Sequence, residues 1–178
     1  MGPFESARLV YRAVEPAEDE EFFLQIQRDP LSFQNSNARI AAPQSREDAK
    51  RYMNHVASKV LLGVVICLPA ADQDSKHVPI GAMHLDAIEP HLAHHRNTDI
   101  GIDILREYQG KGYGSEAINW VLQWAFQIAG LHRVGICAFG LKAEVVRRYG
   151  FKDNFGMMFN LVCSSMNGEQ VMEQNLSG

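Results

Sequence analysis

Residues 100–118 read IGIDILREYQGKGYGSEAI, and the period of the side chains changes inside that stretch. At its start Ile100, Ile102 and Ile104 alternate with Gly101 and Asp103, and Asp99 extends the polar set. A period of two is that of a strand, with the isoleucines on one face. Over residues 111–129 Ala117, Ile118, Val121, Leu122, Ala125 and Ile128 recur at helical spacing, and Gly130 is placed to end the helix. Between the two lie Gly110, Gly112 and Gly114, three glycines in five residues. Glycines at a helix start weaken it unless the backbone must come close to something. Such a turn aims successive N–H groups outward at the positive end of the helix dipole, which suits an anion such as phosphate. Lys111 adds a charge.

Working outward, residues 8–14 (RLVYRAV) read as a strand and residues 18–28 as a helix with Phe22, Phe23 and Ile26 on one face. Ser45 is placed as an N-cap answered by Asp48, and Ala49, Tyr52, Met53 and Val56 follow at helical spacing. Residues 61–68 form a continuous apolar run, consistent with a buried strand, and residues 78–88 and 98–105 give two more. Beyond the long helix, residues 132–139 predict a fifth strand and 143–149 a short helix. Residues 157–163 and 170–172 predict two weak strands around an Asn167-Gly168 turn. The fold class is α/β of the α+β kind: a mixed, mostly antiparallel sheet of about six to seven strands flanked by helices. The crossover between the fourth and fifth strands makes those two parallel. We expect one domain over residues 1–178, with 140–178 divergent and short.

Composition limits the partners. The chain has 178 residues, 46% of them hydrophobic, enough for one substantial core. A net charge of −4 gives no basic field for nucleic acid or an anionic membrane, so an anionic cofactor needs a local site. The longest apolar run, residues 60–71, is too short to span a bilayer, and the first residues do not read as a secretory signal. Cys67, Cys137 and Cys163 are widely spaced in apolar segments, which predicts buried free thiols and a cytoplasmic setting. His91, His94 and His95, with His84 nearby, lie beside Pro90 without the cysteine or carboxylate spacing of a zinc site, so no metal is expected there.

Three phosphate-binding patterns compete for the glycine turn. The P-loop fails twice: Leu105 stands where its first glycine belongs, and Gly112 where its hydroxyl belongs. Gly112-x-Gly114-x-x-Ala117 formally meets the dinucleotide fingerprint. However, the next strand ends at Phe139-Gly140 with no acid for a ribose, and the turn comes after four strands. Gln109-Gly110-Lys111-Gly112-Tyr113-Gly114, set between a strand and a long helix, resembles the pyrophosphate-binding loop of the GNAT acetyltransferases. The likeness is closest to the Rim-like branch, which acetylates ribosomal proteins, and to related small-molecule acetyltransferases. It covers the element order over residues 8–139 and is specific mainly over 99–118.

The resemblance implies acetyl-CoA as co-substrate and acetyl transfer to a primary amine, on a small molecule or a protein N-terminus; it also admits a homodimer. It implies that the fourth and fifth strands splay, with Ile102 and Ile104 offering backbone to the pantetheine arm. The amides of Gln109, Gly110, Lys111, Gly112, Tyr113 and Gly114 would then hold the pyrophosphate. An attacking amine must shed a proton, which calls for a base. Asp99 is the first candidate, followed by Asp103 and by His84 on the preceding strand. The family protonates the leaving thiolate with a tyrosine on the helix after the fifth strand, preceded by an asparagine. Residues 139–151 (FGLKAEVVRRYGF) hold no asparagine, and Val146 falls where that tyrosine belongs. Tyr149 is the candidate acid that remains. This departure raises a second reading, a non-catalytic acyl-CoA-binding protein.

Overall fold

A computed structural model describes residues 2–30, 42–72, 75–138, 159–166 and 169–175, with side chains described as far as Ile136. Helix α1 spans Pro16–Arg28, α2 Arg46–Ser58 and α3 Tyr113–Gln123. One mixed sheet is built from β1 (Val10–Arg12), β2 (Val60–Leu68), β3 (Val78–Asp86), β4 (Asn97–Ile104) and β5 (Arg133–Ala138), paired in that order. Pairs from β1 to β4 are antiparallel, and β4 with β5 is parallel, as the crossover through α3 requires. Two further extended segments, Phe159–Met166 and Glu169–Asn175, continue the backbone ladder antiparallel beyond β5. The Asn167-Gly168 turn and the helix expected over 143–149 lie outside the described residues.

Each face of the sheet carries its own apolar cluster. On one face Ile66, Ile80, Met83, Leu85 and Ile100 pack with Ala117, Trp120 and Val121 of α3. On the other, Val65, Cys67 and Ala82 pack with Phe22, Phe23 and Ile26 of α1 and with Met53 and Val56 of α2. This division follows the period of two along β2 and along β3 from Ala82 to Leu85, and Ile80 joins the first face where the register shifts opposite Ile66 and Cys67. Cys67 is a buried free thiol, its ionisation pushed up by burial; the side chains of Cys137 and Cys163 lie outside the described residues.

Local chemistry fixes the helix starts. Ser45 and Asp48 make a reciprocal capping box: Ser45 Oγ accepts from the Asp48 amide at 3.1 Å, and Asp48 Oδ2 accepts from the Ser45 amide at 3.0 Å. Asp19 is buried and accepts from Arg12 Nη2 and Nη1 (2.6 and 2.8 Å) and from the Glu15 amide (2.8 Å), tying α1 to β1. The long helix departs from expectation at its end. After Gln123 it widens into a π turn, Trp124–Ile128, closed by the Ala129 amide on Trp124 O at 3.0 Å. The wider turn breaks the helical stripe, so Ile128, expected in the core, is 62% exposed. Leu131 closes the cluster instead, after Gly130 turns the chain at φ +64°. No described helix is long and apolar enough to cross a membrane.

Gly63 on β2 lets α2 settle onto the sheet, because a β-carbon there would overlap the Val56 carbonyl. That neighbour is helix backbone and cannot swing away. Gly63→Ala is therefore expected to destabilise the fold by about 1–3 kcal/mol, read as a lower midpoint in urea unfolding; an unchanged midpoint would show that α2 has room to shift.

Candidate active site

Strand β4 is paired unequally on its two sides. On the β3 side its register runs from Ile100↔Leu85 to Ile104↔Gly81, and the Leu105 amide extends it to Ile80 O at 2.9 Å. On the β5 side it runs from Asn97↔Arg133 only to Ile100↔Ile136. From Gly101 to Ile104 the strand therefore presents an edge with no strand partner on that side among the described residues. An unpaired edge is a row of backbone donors and acceptors that a linear ligand with amide groups can satisfy. Ile102 and Ile104 lie on this edge, their half-buried side chains packed against the α3 cluster.

The edge runs straight into the glycine turn. Arg106–Tyr108 forms a 3-10 turn in which the Tyr108 amide bonds Leu105 O (2.9 Å) and the Gln109 amide bonds Arg106 O (3.2 Å). The Gln109 side chain turns back, donating Nε2 to Ile104 O at 2.7 Å. Its amide and its side chain are thus both committed to the protein, and the turn presents its backbone from Gly110 onward. Gly110 (φ +75°) and Gly112 (φ +82°) occupy the left-handed region, which explains glycine at both positions. Gly112 is the N-cap of α3, and the first helical bond runs from the Glu116 amide to Gly112 O (3.1 Å). The Tyr113 and Gly114 amides precede that ladder, at the positive end of the helix. Lys111 Nζ lies over the Tyr108 ring, 5.3 Å from its centre.

The turn is clamped from behind by the N-terminal segment, a feature that the sequence pattern did not single out. Glu116 accepts from Ser6 Oγ, the Arg8 amide and Arg8 Nε, each at 2.7 Å. Arg8 Nη1 also donates to Lys111 O at 3.1 Å, and the guanidinium lies over Tyr113, 4.7 Å from the ring centre. Burial alone would raise the Glu116 carboxyl, but the bonds from Ser6 and Arg8 outweigh it and hold the group below its ordinary value.

The polar set of β4 faces α2. Asp103 is buried and accepts from Tyr52 Oη at 2.7 Å, while burial and the Asp103 charge keep the tyrosine protonated well above its ordinary range. Asp103 is thus a partner of α2. Asp99 is more open, its carboxyl raised by partial burial and then by the charge of Asp86. His84 stands opposite Gly101 on β4 and Gly63 on β2, and a β-carbon on Gly101 would overlap its ring. Burial lowers its affinity for a proton, leaving a neutral imidazole. Tyr52 and His55 of α2 lie near this ring, with centres 6.2 and 5.8 Å away; neither was singled out from sequence as a site residue. His94 and His95 sit in an exposed 3-10 turn, Pro90–His95. Tyr149 lies outside the described residues.

Comparison with known proteins bears on the family and the fold. A family model described as an acetyltransferase (GNAT) domain matches residues 8–141. A spermidine N-acetyltransferase from Vibrio cholerae, solved with CoA and spermine, superposes with a TM-score of 0.65 at 21% identity, covering 95% of this chain and 94% of that one. A GNAT-family acetyltransferase from Bacillus anthracis gives 0.64 at 19% identity, over 83% and 81% of the two chains. RimL, a ribosomal L7/L12 α-N-protein acetyltransferase, gives 0.56 at 16% identity, over 80% and 76%. No curated protein matches the sequence.

The clamp behind the turn yields a test. Glu116→Gln is expected to lower stability by about 1–3 kcal/mol at neutral pH, seen as a drop of several degrees in Tm. A depressed carboxyl stabilises the fold fully above its unfolded value and loses that contribution as pH falls through the folded one. The gap between wild type and variant should therefore close below the ordinary value of 4.5. A gap independent of pH down to acid unfolding would count against the ion pair as its source.

Proposed function

The chain belongs to the GNAT acetyltransferase family, whose members use acetyl-CoA, and we propose that it transfers the acetyl group to a primary amine by direct attack in a ternary complex. One observation carries this reading: the edge of β4 left open after Ile100 leads without a break into the glycine turn at the start of α3. Those two features suit the two halves of one ligand. The edge at Ile102 and Ile104 meets the amide-bearing pantetheine arm, and the amides from Gly110 to Gly114 meet the diphosphate, with Lys111 adding charge. A β4 N–H at the gap polarises the thioester carbonyl and holds the developing oxyanion. The protein then acts chiefly by holding two substrates in line.

Of the three acidic or basic candidates, we take Asp99 as the base. It lies beside the last paired residue of β4 and is open enough to reach an incoming amine, directly or through water. Asp103 is held by Tyr52, and His84 is packed between glycines. The acceptor is a small amine or a protein N-terminus, the two classes named for the spermidine and ribosomal-protein relatives. Within the family we place the chain near the Rim-like branch, as a single cytoplasmic domain over residues 1–178. We also count Phe159–Met166 and Glu169–Asn175 as the sixth and seventh strands of its sheet. The absence of the family's asparagine from residues 139–151, with Val146 where its tyrosine belongs and Tyr149 the candidate acid that remains, sustains the second reading, a protein that binds acyl-CoA without turning it over.

Thiol release from acetyl-CoA with a panel of amines separates the two: an amine-dependent thiol product supports the enzyme, and CoA binding with no product supports the binder. Gly112→Asp puts a carboxylate and a strained φ into the turn and is expected to weaken CoA binding tenfold or more, about 1.4 kcal/mol. Unchanged affinity in calorimetry would remove the diphosphate from this turn. Asp99→Asn should lower kcat by about a hundredfold or more while leaving CoA affinity in place; a kcat within twofold of wild type would dismiss Asp99 as the base.

A further inference from the structure

On the α2 face of the sheet, one group of side chains carries chemistry that acyl transfer leaves unused. His55 in the last turn of α2 and His84 and Asp86 on β3 each offer one ligand atom, all within 4.8 Å of one another. His84 Nε2 lies 3.6 Å from Asp86 Oδ1. The two imidazole rings stand at 88°, so they meet edge to face rather than stacked. Two ligands about 2.1 Å from a tetrahedral zinc are about 3.4 Å apart. His84 and Asp86 therefore already have the spacing of two donors on one ion. His55, the third donor, is exposed, and its ligand atom lies within the same 4.8 Å.

Two further features describe the setting of His84. Nδ1 of His84 is buried with no hydrogen-bond partner among the described residues. That atom asks for a water of its own, because Nε2, on the other side of the ring, is the nitrogen that faces Asp86. The ring is also seated on rigid elements, because Gly63 and Gly101 flank His84 on the neighbouring strands and Gly63 brings the end of α2 down to the sheet. Were either glycine an ordinary residue, the imidazole or the helix would have to move away.

We propose that His55, His84 and Asp86 form a binding site for a divalent transition metal, with zinc as the occupant that the donors select. Two imidazole nitrogens and one carboxylate suit zinc, whereas calcium and magnesium take oxygen ligands. Three protein donors leave a fourth position for water or a ligand. The ion ties the end of α2 to β3, one strand away from the open edge of β4. This site is separate from His91, His94 and His95, the histidines that stand out in the sequence.

The test uses the full chain, freed of metal by a chelator and titrated with Zn2+ by calorimetry, with Co2+ as a coloured substitute. Wild type is expected to bind one Zn2+ per chain with a Kd on the order of a micromolar or below, to gain Tm with Zn2+, and to show the visible absorption of tetrahedral Co2+. His55→Ala and Asp86→Asn should each weaken Zn2+ binding about tenfold or more, while His91→Ala leaves it unchanged. His55 is exposed, so that variant is expected to fold, and CoA binding on the same samples checks this independently of the metal. The proposal is overturned if wild type takes up no Zn2+ at submillimolar concentration, or if His55→Ala and Asp86→Asn bind as wild type does.

Discussion

A strand inside a sheet normally has partners on both sides, whereas β4 pairs with β5 over Asn97–Ile100 and with β3 over Ile100–Ile104, so that the two ladders overlap only at Ile100. The constraint arises because β4 continues along β3 as far as Leu105 while its pairing with β5 stops at Ile100. Backbone polar groups left without a partner are costly when buried, so such an edge persists where water or a ligand can reach it. Two contacts keep the free end of β4 in place without β5. The Gln109 amide side chain caps Ile104 O, and the β3 ladder holds the other edge. The turn that follows then starts from a fixed point, and its glycines, at positive φ, lead into the N-terminus of α3.

Much of this was legible in the sequence because it depends on local rules. The change of period between Ile104 and Ala117, the glycines of the turn and the Ser45–Asp48 cap each specify their own geometry over a few residues. Gly110 and Gly112 do hold positive φ, and the capping box is present with both hydrogen bonds. Ile128 escaped, because a helical stripe assumes a constant 3.6-residue turn and a π turn breaks that constancy within one residue. Gln109 was read as part of the phosphate loop, whereas its amide and side chain serve the protein; a motif gives residue identity but not the direction in which a side chain turns.

The rest of the site could not be seen because it is made between distant segments. Ser6 and Arg8 meet Glu116 across more than a hundred residues, and nothing in the local pattern of either segment signals the other. The same holds for Tyr52 and Asp103, on α2 and β4. Gly63 and Gly101 carry no local turn signal; their meaning lies in His84, which stands between them on the middle strand. Glycine in a strand weakens it unless another group must come close, and here a helix carbonyl and an imidazole are those groups.

The way the N-terminal segment lies on α3 has an optical consequence. The chain has two tryptophans, and Trp120 is the one stacked on Tyr11, with ring centres 3.7 Å apart and planes 11° from parallel. Its indole N–H donates to Pro3 O at 3.1 Å. One turn earlier on the same helix, Glu116 grips Ser6 and Arg8. Indole emission from Trp120, isolated by replacing Trp124 with phenylalanine, thus senses whether the first dozen residues are seated against the helix that begins at the glycine turn. The fold carries its own fluorophore for following that docking in solution, with no dye attached.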